Sequence, residues 1–279
     1  MVDFIVDILN AISSGISQSQ VDDLLKTPAA YNSSMYNLSL SIAQTAVKPV
    51  ASMVLAIVFT LELARVSSKV DEDRELGVKM VVSAMIRIML VFTAAQHSEL
   101  LLKAIDQLGQ SVMDSFVSPT SGDASGLGLG DQMRDDIDAA GMLGQLPCIV
   151  LLIIPFLVSK AASIVFTVVL LLRFVQIYLL TAFNPLPIAF IACDETRSWG
   201  VNYFKQYAVI VFQCATLYLA VVLYRAFVGN VMNVSGYEKG SSLSGWITSN
   251  FSNLLLASVL LIGIVMVSNG VAKKLFGGE

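Results

Sequence analysis

RFVQIYLLTAFNPLPIAFIACDETRSWGVNYFKQYAVIVFQCATLYLAVVLYR, residues Arg173 to Arg225, holds two apolar runs long enough to cross a bilayer. Between them lie a Pro-x-Pro pair, Pro185 and Pro187, and a short polar turn carrying Arg197, Trp199, Asn202, Tyr203 and Lys205. Each proline lacks an N–H and its ring clashes with the carbonyl four residues back, so helical bonding is expected to fail around Thr181 and Phe183. In hydrocarbon a freed carbonyl costs several kcal/mol unless protein or water takes it up. The break at Asn184, Pro185 and Pro187 therefore points to a packed interface or a wet path.

Outward from this stretch the chain keeps the same character. Mean hydropathy is +0.74, with 56% hydrophobic and only 14% charged residues, far from the profile of a soluble domain. The fold class is all-α, a polytopic membrane bundle. The opening MVDFIVDILNAISSG has no basic segment and carries Asp3 and Asp7, so it is expected to stay on the chain rather than act as a cleaved signal. Cys148, Cys193 and Cys214 sit in apolar runs at unrelated spacings and read as packing residues, not as disulfide or metal ligands.

A crossing helix needs about 20 apolar residues. Five segments come close: Pro49 to Ala64, Met80 to Ala95, Ala161 to Phe183, Tyr207 to Val228 and Leu254 to Val271. Basic residues set the orientation. Arg65, Lys69, Arg74, Lys79, Arg197, Lys205, Lys273 and Lys274 fall on one side, whereas the longer opposite stretches hold Lys26, Lys48, Lys103, Arg134 and Lys239. That places the N-terminus outside and the C-terminus in the cytoplasm. The same parity favours a single crossing from Ala161, with Gln145 to Ser159, interrupted by Pro147 and Pro155, as an outer interfacial or re-entrant segment; one long helix kinked at Pro155 is the alternative.

The organisation expected is an external amphipathic region over 1–48, a first helix pair over 49–96, an external amphipathic helix and Gly/Asp-rich linker over 97–146, and a three-span core over 147–279. Leu101, Ile105, Leu108, Val112 and Phe116 recur at helical spacing with Lys103, Asp106, Gln110 and Asp114 opposite. Ser98 to Val117 therefore reads as a helix lying on the membrane or a partner. Asp3, Asp7 and Asn10 give the first helix a narrow polar stripe. Ser118 to Asp136 reads as a linker or a loop at the outer mouth, and Gly126, Gly128 and Gly130 are no phosphate loop, since no strand precedes them and no Lys-Ser/Thr follows.

No enzyme signature is present: no Walker motif, no paired-histidine motif, no G-x-S-x-G. The lone histidine, His97, reads as an interfacial ring. No cofactor or metal is expected, and energy for any transport must come from a partner or an ion gradient.

The informative charges lie inside the spans. Arg87 sits eight residues past Lys79, about 12 Å deep, and Arg173 thirteen past Lys160. An intramembrane arginine costs about 2.5 to 3.5 kcal/mol on insertion scales, so both should face the bundle or water. Glu62 can neutralise only one of them. Lys160 and Arg225, near the outer helix ends, are expected to snorkel to headgroups. Arg87 and Arg173 either anchor helices on carbonyls freed at the break, together with Gln176 and Asn184, or line a path for a polyanion such as single-stranded DNA. Gln206, Gln213 and Thr216 add a polar face suited to helix contacts or a lumen.

The proline pair followed by Trp199, Asn202-Tyr203, a basic residue and Phe212-Gln213 resembles the TrbL family, polytopic inner-membrane channel subunits of bacterial type IV secretion and conjugation machines. Lys48-Pro49 and the turn Ser67-Ser68-Lys69-Val70-Asp71-Glu72-Asp73-Arg74-Glu75 add support. The resemblance implies a multi-pass protein of the cytoplasmic membrane, surrounded by membrane lipid. It further implies a homo-oligomeric ring, a pentamer, working with a transfer ATPase and other secretion-channel subunits, with single-stranded DNA or protein in transit. A small-solute secondary transporter would also use broken helices and buried charge, but neither an internal repeat nor a midplane coupling acid is evident. A scaffold holding pilin or ATPase fits the residues as well as a pore does.

Overall fold

The computed structural model describes residues 1–70, 74–120, 128–231 and 243–275. The centre of the acidic-basic turn (71–73), residues 121–127 of the Gly/Asp-rich linker, the connection carrying Lys239 (232–242) and the last four residues lie outside the described residues; from Leu129 on, the stretch expected to be linker or loop is helical instead. Among those described there is no strand. In chain order the α-helices are α1 Val2–Ser14, α2 Gln18–Leu25, α3 Pro28–Tyr31, α4 Ser33–Ile42, α5 Lys48–Val70, α6 Arg74–Gln96 and α7 Ser98–Thr120. They continue as α8 Leu129–Gln132, α9 Arg134–Ala139, α10 Gly141–Phe183, α11 Pro185–Phe190, α12 Arg197–Val231 and α13 Leu243–Leu275.

Among the described residues five helical runs are long and apolar enough to span a membrane: Ser33–Arg65, Val78–Gln96, Gly141–Phe183, Arg197–Asn230 and Leu243–Leu275. Each contains one of the expected spans. The first begins well before Pro49 because α4 joins α5 through a π-helical turn, Ala43–Val47. Pro49 supplies a reason: it leaves the Thr45 carbonyl without its i+4 donor, and a wider turn redistributes the bonds next to it.

The expected division of the third apolar stretch does not occur. α10 is one helix of 43 residues with Pro147 and Pro155 inside it. At about 65 Å it is twice as long as the hydrocarbon layer is thick. An isolated proline removes one bond, which packed neighbours can compensate.

The chain forms two compact units. The first comprises 1–25, 111–172 and 212–274. Here α1 is a core element: Ile5, Ile8, Leu9 and Ile12 are fully buried. Carbonyls at the end of α1 and just beyond it accept from side chains of α10 and α12. Ser159 donates to Ala11 O at 2.9 Å, Tyr224 to Ile12 O at 3.4 Å and Arg225 Nη2 to Ile16 O at 2.8 Å. Arg225 is thus buried rather than snorkelled, because a backbone carbonyl in the turn after α1 meets its guanidinium inside the protein. Lys160 stays exposed, its ammonium 5.4 Å from the centre of the Phe156 ring. The polar stripe of α1 holds α8 and α9: Asp3 pairs with Arg134, and Asn10 donates to Asp131 at 2.9 Å and accepts from Gly130 N at 2.8 Å.

The second unit comprises 26–110, 173–211 and 275–279. Its core has two parts. Ala51 and Leu55 of α5 and Ala95 of α6 pack on Ile188, Ala189 and Ala192 in and just after α11. Leu102 of α7 packs on Ile177 of α10 and on Tyr203, Tyr207 and Ile210 of α12. Tyr31 stacks on Phe174 at 3.9 Å, and Tyr178 donates to Pro28 O at 2.9 Å.

Leu102, Asp106, Gly109 and Met113 are the residues of α7 turned inward, while Leu101 and Leu108 are 42% and 62% exposed. A Cβ on Gly109 would overlap the Val211 side chain, so glycine sets the close approach. Asp106 follows inward because Tyr207 of α12 offers it a hydroxyl at 2.9 Å.

Candidate functional site

The chain breaks where the proline pair dictates. α10 ends at Phe183, Asn184 alone bridges, and Pro185 opens α11 as its first residue, where a missing N–H costs nothing. The bonding shift is local. Asn184 N donates to Thr181 O at 3.4 Å, which releases Leu180 O from its ordinary i+4 partner. Tyr203 Oη, from the first turns of α12, takes that carbonyl at 2.7 Å. The side chain of Asn184 is 1% exposed, and its Oδ1 accepts from Ser98 Oγ at 2.7 Å. α11 then lies against α12 at Gly200, where a Cβ would overlap the Pro187 carbonyl. The result is an elbow in which α12 supplies a donor for the Leu180 carbonyl and α7 one for Asn184 Oδ1.

The turn after α11 carries the charge. Arg87 of α6 donates Nη1 to Asp194 Oδ2 at 3.2 Å and Nη2 to Asp194 Oδ1, a two-pronged pair. Arg65 of α5 pairs with Glu195 and, at 3.6 Å, with Glu62. Arg87 thereby holds the Asp194 carboxyl below the usual carboxylate range, its hydrogen bond being the main cause. Trp199 is 60% exposed and meets the Phe190 ring edge-on at 5.5 Å. Arg197, Asn202 and Lys205 are exposed beside it.

Residues 15–185 match the model of the TrbL/VirB6 plasmid conjugal transfer-like family, well over half of the chain. The chain belongs to this family. The match covers the Lys48-Pro49 entry and the acidic-basic turn, and stops at the first proline of the pair. The resemblance drawn from the residues after Pro185 thus lies outside the matched part, and the segments given as support lie within it. None of the curated proteins compared matches the chain. Membership makes this TrbL/VirB6-like chain a component of a conjugal transfer system and a multi-pass membrane protein.

The remaining sequence-nominated residues of the TrbL/VirB6-like chain differ in burial. Arg173 is 3% exposed and Gln176, three residues on, is exposed. Gln206 is exposed whereas Gln213 is buried, with Thr216 donating to the Gln213 carbonyl at 2.9 Å. Glu62, expected to neutralise an intramembrane arginine, bonds Arg65 one turn on. Tyr203, nominated as part of an exposed turn, is 8% exposed and belongs to the elbow.

Sequence reasoning missed four residues of this site. Asp194 and Glu195 were given no role; their place in the short turn after a six-residue α11 is the signal that they fold back onto α5 and α6. Ser98 and Asp106 reside on a helix expected to lie on the membrane or a partner. Burial raises the Asp106 carboxyl to about 6, the Tyr207 hydrogen bond opposing the shift. Beside the elbow a hollow of about 30 Å³ is bordered by Gln44, Lys48, Gln96, Ser98, Glu99 and Asn184, room for about one water. Lys48 Nζ donates there to Gln96 O at 3.0 Å. Among the described residues no group of three or more His, Cys, Asp or Glu is arranged to hold a metal.

Proposed function

We propose that this protein is a channel-forming scaffold subunit of a conjugal transfer machine in the cytoplasmic membrane. It assembles as a homo-oligomeric ring, a pentamer by resemblance, that seats the transfer ATPase and lets DNA or protein pass. Its intramembrane arginines act as helix anchors within each protomer, not as a phosphate track. The observation that carries this reading is the Arg87–Asp194 pair: the deepest charge of α6 is spent on fastening the turn of the proline elbow. The Arg225 bond to Ile16 O and the burial of Arg173 support it.

The test is oligomer yield measured beside formaldehyde crosslinking of transferring DNA to this subunit in Arg173→Lys and Arg173→Gln. Lysine keeps the charge and loses the planar multi-donor fork. As anchors, both variants should lower the yield of intact oligomer. Intact oligomers in both variants, with crosslinking lost only in the glutamine variant, would make the arginine part of a polyanion path. Particle images of the purified complex should show a ring with an axial opening; discrete monomers or dimers would contradict the ring.

A further inference from the structure

α5 and α6 lie side by side and enclose between them an open hollow of about 670 Å³. Its walls are hydrocarbon and thioether, with Leu55 and Phe59 from α5 and Met85, Ile86, Met89 and Phe92 from α6; Ser52 supplies the one hydroxyl. A second hollow of about 360 Å³ shares Val82 and Ile86 with the first and ends at Lys79 and Ser83. The two therefore form one groove along α6. From Phe92 to Lys79 it runs thirteen residues, about 20 Å, somewhat more than one leaflet's share of the hydrocarbon layer.

Charge at the two ends differs. The Phe92 end offers no ionised group, while the other end carries the Lys79 ammonium, exposed and making no ion pair among the described residues. The neighbouring cations are committed, Arg65 to Glu62 and Glu195 and Arg87 to Asp194. Among the described residues Lys79 is thus the cation at this rim left available to a ligand, with the Ser83 hydroxyl one turn away as a second donor. Methionines suit a flexible chain, since their side chains adapt to irregular apolar partners.

We propose that this groove is a binding site for an anionic glycerophospholipid. One acyl chain lies along Met85, Ile86 and Met89, and the headgroup phosphate sits on Lys79 and Ser83. On the charge-derived orientation the headgroup is in the cytoplasmic leaflet, where basic sites between helices collect anionic lipids. The site makes the first helix pair sensitive to the lipid composition of the host membrane.

Native mass spectrometry of the purified protein, with phosphatidylglycerol or phosphatidylcholine added to delipidated samples, tests this. Wild type should retain phosphatidylglycerol at one molecule per protomer and prefer it to phosphatidylcholine. Lys79→Gln should cut that preference about fivefold, the weight of one cationic contact near a membrane surface. Val82→Trp, which fills the groove, should reduce retention of both lipids. Lys79 is exposed, so its replacement leaves the fold intact, which thermal unfolding in detergent verifies. Equal retention of the two lipids by wild type, or an unchanged preference in Lys79→Gln, would overturn the proposal. So would disulfides between protomers joining Met85→Cys to Phe59→Cys, since a second copy would then occupy the groove.

Discussion

Proline is met in two ways within α10 and its sequel. Pro147 and Pro155 lie inside a continuous helix, whereas Pro185 and Pro187 end it. Proline content is the same in the two regions; the difference is in spacing and in what stands nearby. Eight residues separate the first pair, so each loss of a bond is isolated in the ladder. In the second pair two N–H groups vanish within one turn, and three outside partners meet the consequences: Tyr203 on the Leu180 carbonyl, Ser98 on the Asn184 side chain, and the bare backbone at Gly200. A proline pair becomes an elbow when the protein supplies acceptors and donors for the groups it releases.

The largest effect that separates the two regions should come from restoring the helix. Pro185→Ala with Pro187→Ala returns two N–H donors to the ladder and lets α10 run on toward α11, dislodging Asp194 from Arg87. Conjugal transfer should fall sharply while the amount of protein in the membrane falls little. Pro155→Ala, made in the continuous part, should leave transfer unchanged and shift the detergent unfolding midpoint by an amount worth about 1 kcal/mol or less. Wild-type transfer in the double variant, or a transfer defect in Pro155→Ala, would erase the distinction.

A smaller effect is expected from Tyr203→Phe. It keeps the ring in the core beside Ile177 and Tyr207 but strips the Leu180 carbonyl of its donor. Leaving a buried carbonyl unmet costs about 1 to 3 kcal/mol, read as a lower unfolding midpoint. An unchanged midpoint would mean that the elbow does not depend on this bond.

The spans and the break were legible in the sequence because both are local properties: hydropathy over about 20 residues and the missing N–H of two prolines. Continuity through Pro147 and Pro155 stood only as the alternative, since the choice depends on neighbouring helices. Periodicity marked Leu101 and Leu108 as a stripe for a membrane or a partner, and both are exposed. The neighbouring face that α7 packs on α12 was not legible, because a glycine at 109 and a tyrosine hydroxyl on α12 decide it. Arginine partners were hidden too, because Asp194 and Glu195 are distant in sequence from α5 and α6.

The most modest effect concerns Asp106. Its folded carboxyl titrates at about 6, above the ordinary unfolded value near 4, so the folded state holds an extra proton between those values. By linkage the raised carboxyl costs stability as pH climbs from about 4 through 6 and none below. Asp106→Asn preserves an acceptor for Tyr207 and removes the titration. It should raise the unfolding midpoint at pH 7.5 relative to wild type and make it flatter between pH 4.5 and 7.5. Parallel pH profiles for the two proteins would show that Asp106 is not held in the buried, tyrosine-bonded state.

The anchoring role of Arg87 is tested most directly by exchanging the pair. Arg87→Asp or Asp194→Arg alone places like charges together at the elbow, and conjugal transfer should drop about tenfold or more, within the range of coupling between contacting residues. Arg87→Asp combined with Asp194→Arg restores the pair with its ends reversed, and transfer should recover to within a few-fold of wild type. If the exchanged protein reaches the membrane yet transfers no better than the worse single variant, Arg87 does not work through Asp194 and the anchor account is wrong.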